Sequence, residues 1–373
     1  MPPTLIITND FPPTIGGIEG FVFDLCGLLD DNVVVLTRHT RGWQVHDQEL
    51  PFPVIRSGSL LLPQPTIARL AAKLIKEHKI NSVIFGAMAP LALLAPAVRA
   101  AGADRLLAIS HGHETWWASL PGSSGLLHRM ADEVDHVSTI SDYTRRRIGP
   151  ALSARAGEQL IMLSPPVDLD LFRPAAIAAD DHGRPRCVAV GRMVRQKGFD
   201  TLLRAWRLVL DRGWTGPDPE LVLVGDGPQA RTLRRLAGRL GLTGTVRFTG
   251  SLPRTQVARV LRTGRLFALP VRTRLAGLNP EGLGIVFAEA SASGLPVIAG
   301  RSGGAPETVR EGETGFVVDP DDPHELAQRI VELLADPDRA RRMGAAGRKH
   351  VADRYGQLRA RRTVRAALGL DAA

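Results

Sequence analysis

Cys187-Val188-Ala189-Val190-Gly191-Arg192-Met193-Val194-Arg195-Gln196-Lys197-Gly198-Phe199 reads as a buried strand, a basic loop and the start of a helix. The apolar run suits a strand covered on both faces, and at midchain it restarts an alternation of strands and helices. Further short apolar runs follow at Leu221–Val224, Val246–Phe248, Leu266–Leu269, Val297–Ile298 and Phe316–Val318. The earlier half carries its own set at Leu5–Thr8, Val33–Leu36, Ser82–Phe85, Leu106–Ile109, Val137–Ile140 and Leu160–Leu163. Helical patterns at Gly20–Leu29, Thr66–His78, Ala89–Ala100 and Tyr143–Ile148 separate most of that first set. Such alternation predicts an α/β fold with mostly parallel sheets and helices on both faces. Ser164-Pro165-Pro166-Val167-Asp168, followed by the Pro- and Ala-rich Arg173–Gly183, forms a natural linker between two sheets. A first domain over residues 1–165 and a second over 166–353 are therefore expected. The stretch from about Asp338 to Leu368 is expected to be helical, and its end, about 354–373, to pack back on the first domain.

The 373 residues suit two domains of ordinary size, and 44% apolar with 23% charged residues is an ordinary globular composition. No apolar run approaches the roughly 20 residues that span a bilayer. Thr4-Leu5-Ile6-Ile7-Thr8 is too short for a signal peptide, lacks preceding basic residues and runs into Asn9-Asp10. Cys26 and Cys187 are far apart and form no Cys-x-x-Cys pair, which fits a reduced cytoplasmic protein. The net charge of +9 is uneven: residues 1–170 hold 14 basic against 17 acidic residues, and residues 171–373 hold 33 against 21. A basic second half fits phosphate-bearing ligands, or solvated arginine on helix faces. A nucleic-acid-binding motif or a basic stripe with interleaved aromatics is missing, so nucleic acid is not expected as a partner.

Doubly wound domains bind ligands outside the carboxyl ends of their strands, so the chemistry is sought in those loops. If the two sets of ends face each other, the site is the cleft between the domains. After the first strand, Asn9-Asp10-Phe11-Pro12-Pro13-Thr14-Ile15-Gly16-Gly17 leads into a helix whose first amides can face an anion. Neither Gly-x-Gly-x-x-Gly nor a Walker-type phosphate loop occurs there, which argues against a nicotinamide enzyme or a common nucleoside triphosphatase. Arg192 and Lys197 share the loop after Val190, where a pyrophosphate would lie, a planar fork beside a mobile point charge. In Gly225-Asp226-Gly227-Pro228, Asp226 is expected to cap the next helix, with contact to the ligand as the alternative. Ser251 and Leu252 follow Val246-Arg247-Phe248-Thr249-Gly250 and can hold a nucleobase edge with backbone groups.

Glu281-Gly282-Leu283-Gly284-Ile285-Val286-Phe287-Ala288-Glu289-Ala290 places two carboxylates about two helical turns apart around a glycine turn. A carboxylate accepts two hydroxyl hydrogen bonds, as a ribose diol or a hexose requires, so Glu289 and Glu281 suit those two parts of one ligand. Arg301-Ser302-Gly303-Gly304-Ala305-Pro306-Glu307 then brings Gly303 and Gly304 to an expected helix start whose amides and dipole would face a diphosphate. Together these loops describe a base, a ribose, a diphosphate and a sugar.

Arg192…Lys197 with Glu281-x7-Glu289 resembles the signature of retaining GT-B glycosyltransferases of the glycogen-synthase-like, family-four type, and the likeness covers essentially the whole chain. At a finer level it resembles the actinobacterial GDP-mannose-dependent phosphatidylinositol monomannoside mannosyltransferases. Thr8-Asn9-Asp10-Phe11-Pro12-Pro13, Phe85-Gly86-Ala87, Pro90–Pro96, His111-Gly112-His113-Glu114, Ser141-x-Tyr143-Thr144-Arg145, Glu281–Ala292, Pro296–Gly300 and Gly303–Val309 carry that likeness. Arg272–Pro280, with Asn279-Pro280 ahead of Glu281, departs from the family pattern.

The resemblance implies two Rossmann-like domains, the first binding the acceptor and the second the nucleotide sugar. It implies that His111 touches the donor sugar, that Arg192 and Lys197 neutralise the leaving diphosphate, and that amides near Gly16, Gly17, Gly303 and Gly304 assist. Glu289 would hold the ribose, and Glu281 with Gly282, Leu283, Gly284 and Ile285 the hexose. Asp10, His113, Glu114, Trp116, Trp117, Tyr143 and Arg145 would meet the acceptor. Anionic charge builds on the departing diphosphate, so fixed cations and dipoles are the main lever. Arginine and lysine then stand in for a metal, and no metal site is expected: Asp168-Leu169-Asp170 lies in the linker, and Asp319-Pro320-Asp321 and Asp336-Pro337-Asp338 read as turns into helices. Ser59-Leu60-Leu61-Leu62-Pro63 precedes a helix with Arg69, Lys73 and Lys76 on one face and Ile67, Leu70, Leu74 and Ile75 on the other. That pattern fits either a helix meeting anionic lipid at the cytoplasmic face of the plasma membrane or a helix packed on its own sheet. Alternatives are a transferase of the same chemistry with a soluble acceptor, a sugar-nucleotide epimerase and a non-catalytic binding module.

Overall fold

The computed structural model describes residues 2–371 apart from 59, 113, 120, 176–183, 213–216 and 276. His113, Ser59 and most of the Ala-rich part of the expected linker thus lie outside the described residues. The chain forms two compact units, Met1–Pro166 with Gln357–Ala373, and Val167–Gly356.

In the first unit the strands are β1 (Thr4–Ile7), β2 (Val33–Thr37), β3 (Val54–Arg56), β4 (Ser82–Phe85), β5 (Arg105–Ser110), β6 (His136–Thr139) and β7 (Leu160–Met162). They form one parallel sheet in the order β3-β2-β1-β4-β5-β6-β7. Every residue of β1, β2 and β4 is buried, as parallel strands covered on both faces must be. Leu5, Ile7, Phe85, Met88, Leu127 and Met130 belong to the core on one side of this sheet. The short β3 has no counterpart in the sequence reading, because Pro51 and Pro53 precede its three residues and read as loop. The expected helix over Ala89–Ala100 is broken into Met88–Leu91, a 3₁₀ turn Ala92–Leu94 and Ala95–Ala100, with Ala89 in an extended conformation. The residue before Pro90 is pushed out of the helical region, which accounts for that break.

The second unit repeats the scheme with β8 (Arg186–Val190), β9 (Glu220–Val224), β10 (Val246–Gly250), β11 (Leu266–Leu269), β12 (Val297–Gly300) and β13 (Gly315–Val318). Its parallel sheet runs β10-β9-β8-β11-β12-β13. Trp206, Phe199, Phe267 and Phe287 are fully buried, and the rings of Phe267 and Phe287 meet edge-on at 5.7 Å. Both units reverse strand order after their first strand, at β1/β4 and at β8/β11, and such a switch point opens a crevice for ligands.

Near the C-terminus two helices, Pro337–Tyr355 and Gln357–Ala367, replace the single expected stretch, because Gly356 between them is extended (φ −69°, ψ 148°). Tyr355 O accepts the Val167 N–H at 2.8 Å, so the second unit begins and ends at neighbouring positions. Beyond the break, Arg361 and Arg365 pair with Asp30, 2.7 and 3.4 Å from Oδ2, within the first unit. His350, on the longer helix, is buried, and its Nε2 has no hydrogen-bond partner. Burial, then the nearby Arg310 and Arg354 cations, lower its pKa from the ordinary 6.5. The unfolded chain therefore takes up this proton first as pH falls, and stability complete above pH 6.5 is lost below it. Between about pH 7.5 and about pH 5.5 the wild type is expected to lose on the order of 2 °C more in Tm than His350→Gln, measured by thermal unfolding.

Candidate active site

The switch point of the second sheet gathers the loops that the sequence singles out. Lys197 ends a 3₁₀ turn (Arg195–Lys197) after β8, and its Nζ lies 2.6 Å from Glu281 Oε2. Both side chains are largely buried, 18% and 11% exposed, so the pair is a shielded charge contact and not a surface ornament. Glu281 is held from behind: Ser302 Oγ accepts its N–H at 3.2 Å, and its carbonyl accepts the Gly304 N–H at 2.8 Å. Gly303 packs so closely that a Cβ there would stand 1.9 Å from Glu281 O, and its φ of 55° is left-handed. Only glycine fits such a position.

Gly282 to Gly284 make the turn, and the helix Ile285–Ala292 starts at Gly284 (φ 78°). Leu283 is buried and Ile285 half-buried. Glu289 projects from this helix with Oε1 3.5 Å from Arg254 Nε, and the Arg254 guanidinium lies 5.4 Å from the centre of the Phe172 ring. Ser251 is exposed and Leu252 half-buried in the loop ahead of Arg254. Arg192 is exposed, whereas Lys197 is not, so the two cations of one loop are presented differently.

Two expectations are corrected here. Pro306 does not open a helix: Ala305–Thr308 is a single 3₁₀ turn that gives way to extended Val309, so no helix dipole forms there. The Gly304 amide, expected to face a diphosphate, instead donates to Glu281 and fixes the carboxylate residue. Asp226 does not cap the following helix, Ala230–Arg239; its Oδ1 accepts the N–H of Gly227 at 2.7 Å, and no side chain caps that helix at Gln229. By contrast, Asp336 Oδ1 accepts the Arg339 N–H at the start of its helix, and Asp168 Oδ1 takes the N–H groups of Asp170 and Leu171 in a turn. Among the described residues no cluster of three or more His, Cys, Asp or Glu side chains is placed to hold a metal ion.

In the first unit, His111 follows β5 and its Nε2–H donates to Gly86 O at 2.5 Å, just after β4. A carbonyl only accepts, so Nε2 carries a proton. Gly86 in turn abuts Thr8 at the end of β1; a Cβ at Gly86 would lie 2.7 Å from Thr8 Cβ. The Phe21 ring meets the His111 ring edge-on at 5.7 Å, from the helix Gly17–Leu28. Gly16 and Gly17, at the start of that helix, are exposed, and Asp10 is half-buried with its N–H on Thr8 Oγ1 at 2.9 Å.

Glu114, expected to meet an acceptor, is only 2% exposed and accepts the Ser110 hydroxyl at 2.8 Å. It ties the end of β5 to the helix Glu114–Ser119. Trp116 and Trp117 lie 5.2 Å apart; Trp116 is exposed, while Trp117 packs on the core. Tyr143 is half-buried and Arg145 exposed on the helix Asp142–Ile148, which Ser141 and Thr144 open with a reciprocal capping box. The helix Pro65–Glu77 buries Ile67, Ala71, Leu74 and Ile75 in the core, so its apolar stripe faces its own sheet. Arg69, Lys73 and Lys76 remain exposed, as do Leu60 and Leu62 ahead of the helix.

Sequence reasoning missed the residues that join these loops. Gln196 Nε2 donates to Pro280 O at 2.8 Å, and Gln196 O accepts the Arg272 N–H at 2.8 Å. Arg272 also pairs with Asp200 and with Asp321, 3.2 Å from Oδ1 of the latter. These contacts span 72 to 84 residues for Asp200 and Pro280, beyond any local pattern.

Two doubly wound units, a lysine–glutamate pair at one switch point and a glycine-led helix and histidine at the other are the arrangement expected of a GT-B glycosyltransferase. The profile of the family described as glycosyl transferases group 1 matches residues 176–350. Over 362 residues the chain is 43% identical to the GDP-mannose-dependent alpha-(1-6)-phosphatidylinositol monomannoside mannosyltransferase of Mycobacterium tuberculosis, covering 93% of each. It is 41% identical over 361 residues to the GDP-mannose-dependent monoacylated alpha-(1-6)-phosphatidylinositol monomannoside mannosyltransferase of Corynebacterium glutamicum, again with 93% of each covered. The chain belongs to the group 1 glycosyltransferases, in the branch that holds these mannosyltransferases. The fold is likewise that of Anabaena Alr3699/HepE, crystallised with UDP (TM-score 0.80, 20% identity, 98% of this chain and 99% of that one covered). It is also that of sucrose-phosphate synthase from Thermosynechococcus elongatus (TM-score 0.78, 22% identity, 97% of each covered).

Proposed function

We propose that this glycosyltransferase moves mannose from GDP-mannose to a phosphatidylinositol mannoside, forming an α linkage with retention. The carrying observation is the buried Lys197–Glu281 pair locked onto the Ser302–Gly304 loop, in a chain so similar to enzymes of that name. Lys197, with Arg192, faces the diphosphate; Glu289 takes the ribose, Glu281 and the turn after it the hexose, and Ser251 and Leu252 the base. Gly16 and Gly17 lend amides to the diphosphate, and His111 touches the donor sugar. An acceptor hydroxyl attacks the anomeric carbon on the face from which the diphosphate departs. The sugar–phosphate bond breaks, and the hydroxyl proton passes to the leaving phosphate oxygen. Positive charge beside that oxygen lowers the barrier, and no metal is required.

The first unit is assigned to the acceptor, with Asp10, His113, Trp116, Trp117, Tyr143 and Arg145 as contacts; Glu114 acts by shaping the loop that bears His111. The exposed row of Arg69, Lys73 and Lys76 beside Leu60 and Leu62 favours peripheral binding to anionic membrane. No helix among the described residues is long and apolar enough to cross a membrane. The test offers GDP-mannose, UDP-glucose and UDP-N-acetylglucosamine, in chelator, with phosphatidylinositol monomannoside in phosphatidylinositol vesicles or with soluble sugars. The expected result is transfer from GDP-mannose to the lipid, undiminished by chelator, with enzyme pelleting on those vesicles and not on neutral ones. Turnover with another donor or only a soluble acceptor would reassign the substrates, and activity restored by Mg²⁺ or Mn²⁺ would overturn the metal-free mechanism.

A further inference from the structure

Arg56 is the last residue of the edge strand β3, and its side chain is buried, only 1% exposed. Its five N–H groups meet five acceptors. Nε and Nη2 clasp Asp47 Oδ2 and Oδ1 at 2.7 and 2.8 Å. Nη1 donates to Arg38 O at 2.9 Å and Thr40 Oγ1 at 3.2 Å, and Nη2 donates to Pro12 O at 2.6 Å. The guanidinium lies 5.9 Å from the Phe11 ring centre and 5.8 Å from that of Trp43. One side chain thus joins the loop after β1 to the loop after β2 and to the helix Trp43–Gln48. A second tie sits beside it: Asn9 exchanges two hydrogen bonds with the Leu61 backbone, and Arg38 Nε donates to Asn9 O at 2.7 Å.

Burying a guanidinium and a carboxylate adds little stability over apolar residues of the same size, so such a pair is better explained by the geometry that it imposes. The geometry imposed is that of Asn9–Pro13, which only Thr14 and Ile15 separate from Gly16 and Gly17. We propose that Arg56 is a positioning residue, which holds this loop so that the amides at the start of the Gly17 helix meet the donor diphosphate. The proposal rests on the donor-site reading above. Lysine in its place keeps the charge but cannot reproduce the planar fork, and Asp47→Asn removes the counter-charge while leaving Arg56 in place.

The experiment uses the full chain with GDP as the probe, following GDP affinity by calorimetry and amide exchange over residues 14–18 with and without GDP. Wild type is expected to gain protection there on adding GDP. Arg56→Lys and Asp47→Asn are each expected to lose that protection, to bind GDP about 10-fold more weakly and to raise KM for the sugar nucleotide more than KM for the acceptor. Exchange in β4 to β6 should stay that of the wild type, which shows that the sheet is intact. Wild-type protection and affinity in either folded variant would overturn the proposal alone. Absence of GDP protection in the wild type would overturn it together with the donor-site reading.

Discussion

Replacing Lys197 by methionine is expected to lower kcat about 100- to 1000-fold and to lower Tm as well. Two losses combine. The charge that meets the leaving diphosphate is gone, and Glu281, 2.6 Å away and 11% exposed, loses its counter-ion inside a mostly buried loop. A cycle with Glu281→Gln separates them. If Lys197 acts only by holding Glu281, the double variant is no slower than Glu281→Gln alone. If it also stabilises departing charge, Lys197→Met slows the Glu281→Gln enzyme further. Steady-state kinetics with varied sugar nucleotide read both, since a lost transition-state contact lowers kcat while a lost ground-state contact raises KM.

Gly303→Ala is expected to cost about 100-fold in activity, through displacement of Glu281 by a fraction of an ångström to an ångström. Its added Cβ would stand 1.9 Å from Glu281 O, and backbone is not the far end of a flexible side chain that swings away. The left-handed φ of 55° adds strain of about 1–3 kcal/mol. Gly312→Ala is the matched control, because Gly312 has a φ of 73° and a Cβ there would meet no atom within 4 Å. It should lose only the stability that the strain costs and keep its activity. Equal kinetic losses in the two variants would mean that strain, and not the collision with Glu281, governs the effect. Unfolding curves beside initial rates decide the matter.

How far the sequence reads follows from the range of the interaction concerned. Apolar runs with near-complete burial, such as Leu5–Ile7 and Cys187–Val190, announce parallel strands because every residue in them must be apolar or small. Loops after those strands are legible for the same reason: the fold class fixes where ligands bind, so Arg192, Lys197, Gly16, Gly17 and Glu281 stand out by position. Val54–Arg56 does not, since three residues between a Pro-rich segment and a serine–glycine turn have no period to read. Its arginine nevertheless ties together much of the first unit's rim. Gly356 is equally silent, as one glycine in a polar Arg-rich stretch is tolerated in a helix and only its extended backbone shows the break.

Local chemistry, set by residue type within a few positions, is thus determined by the sequence: two α/β units, the strand-end loops and the cations and carboxylates on them. The tertiary structure alone decides which of those groups meet. It puts Lys197 on Glu281 across 84 residues, turns the Gly304 amide inward to Glu281, and draws Glu114 away from solvent onto Ser110. It also sets His111 with its Nε2–H on Gly86 O, across 25 residues. Such pairings depend on the order and twist of strands in the sheet, which bring distant loops to one edge. The period of any single segment contains no information about that order.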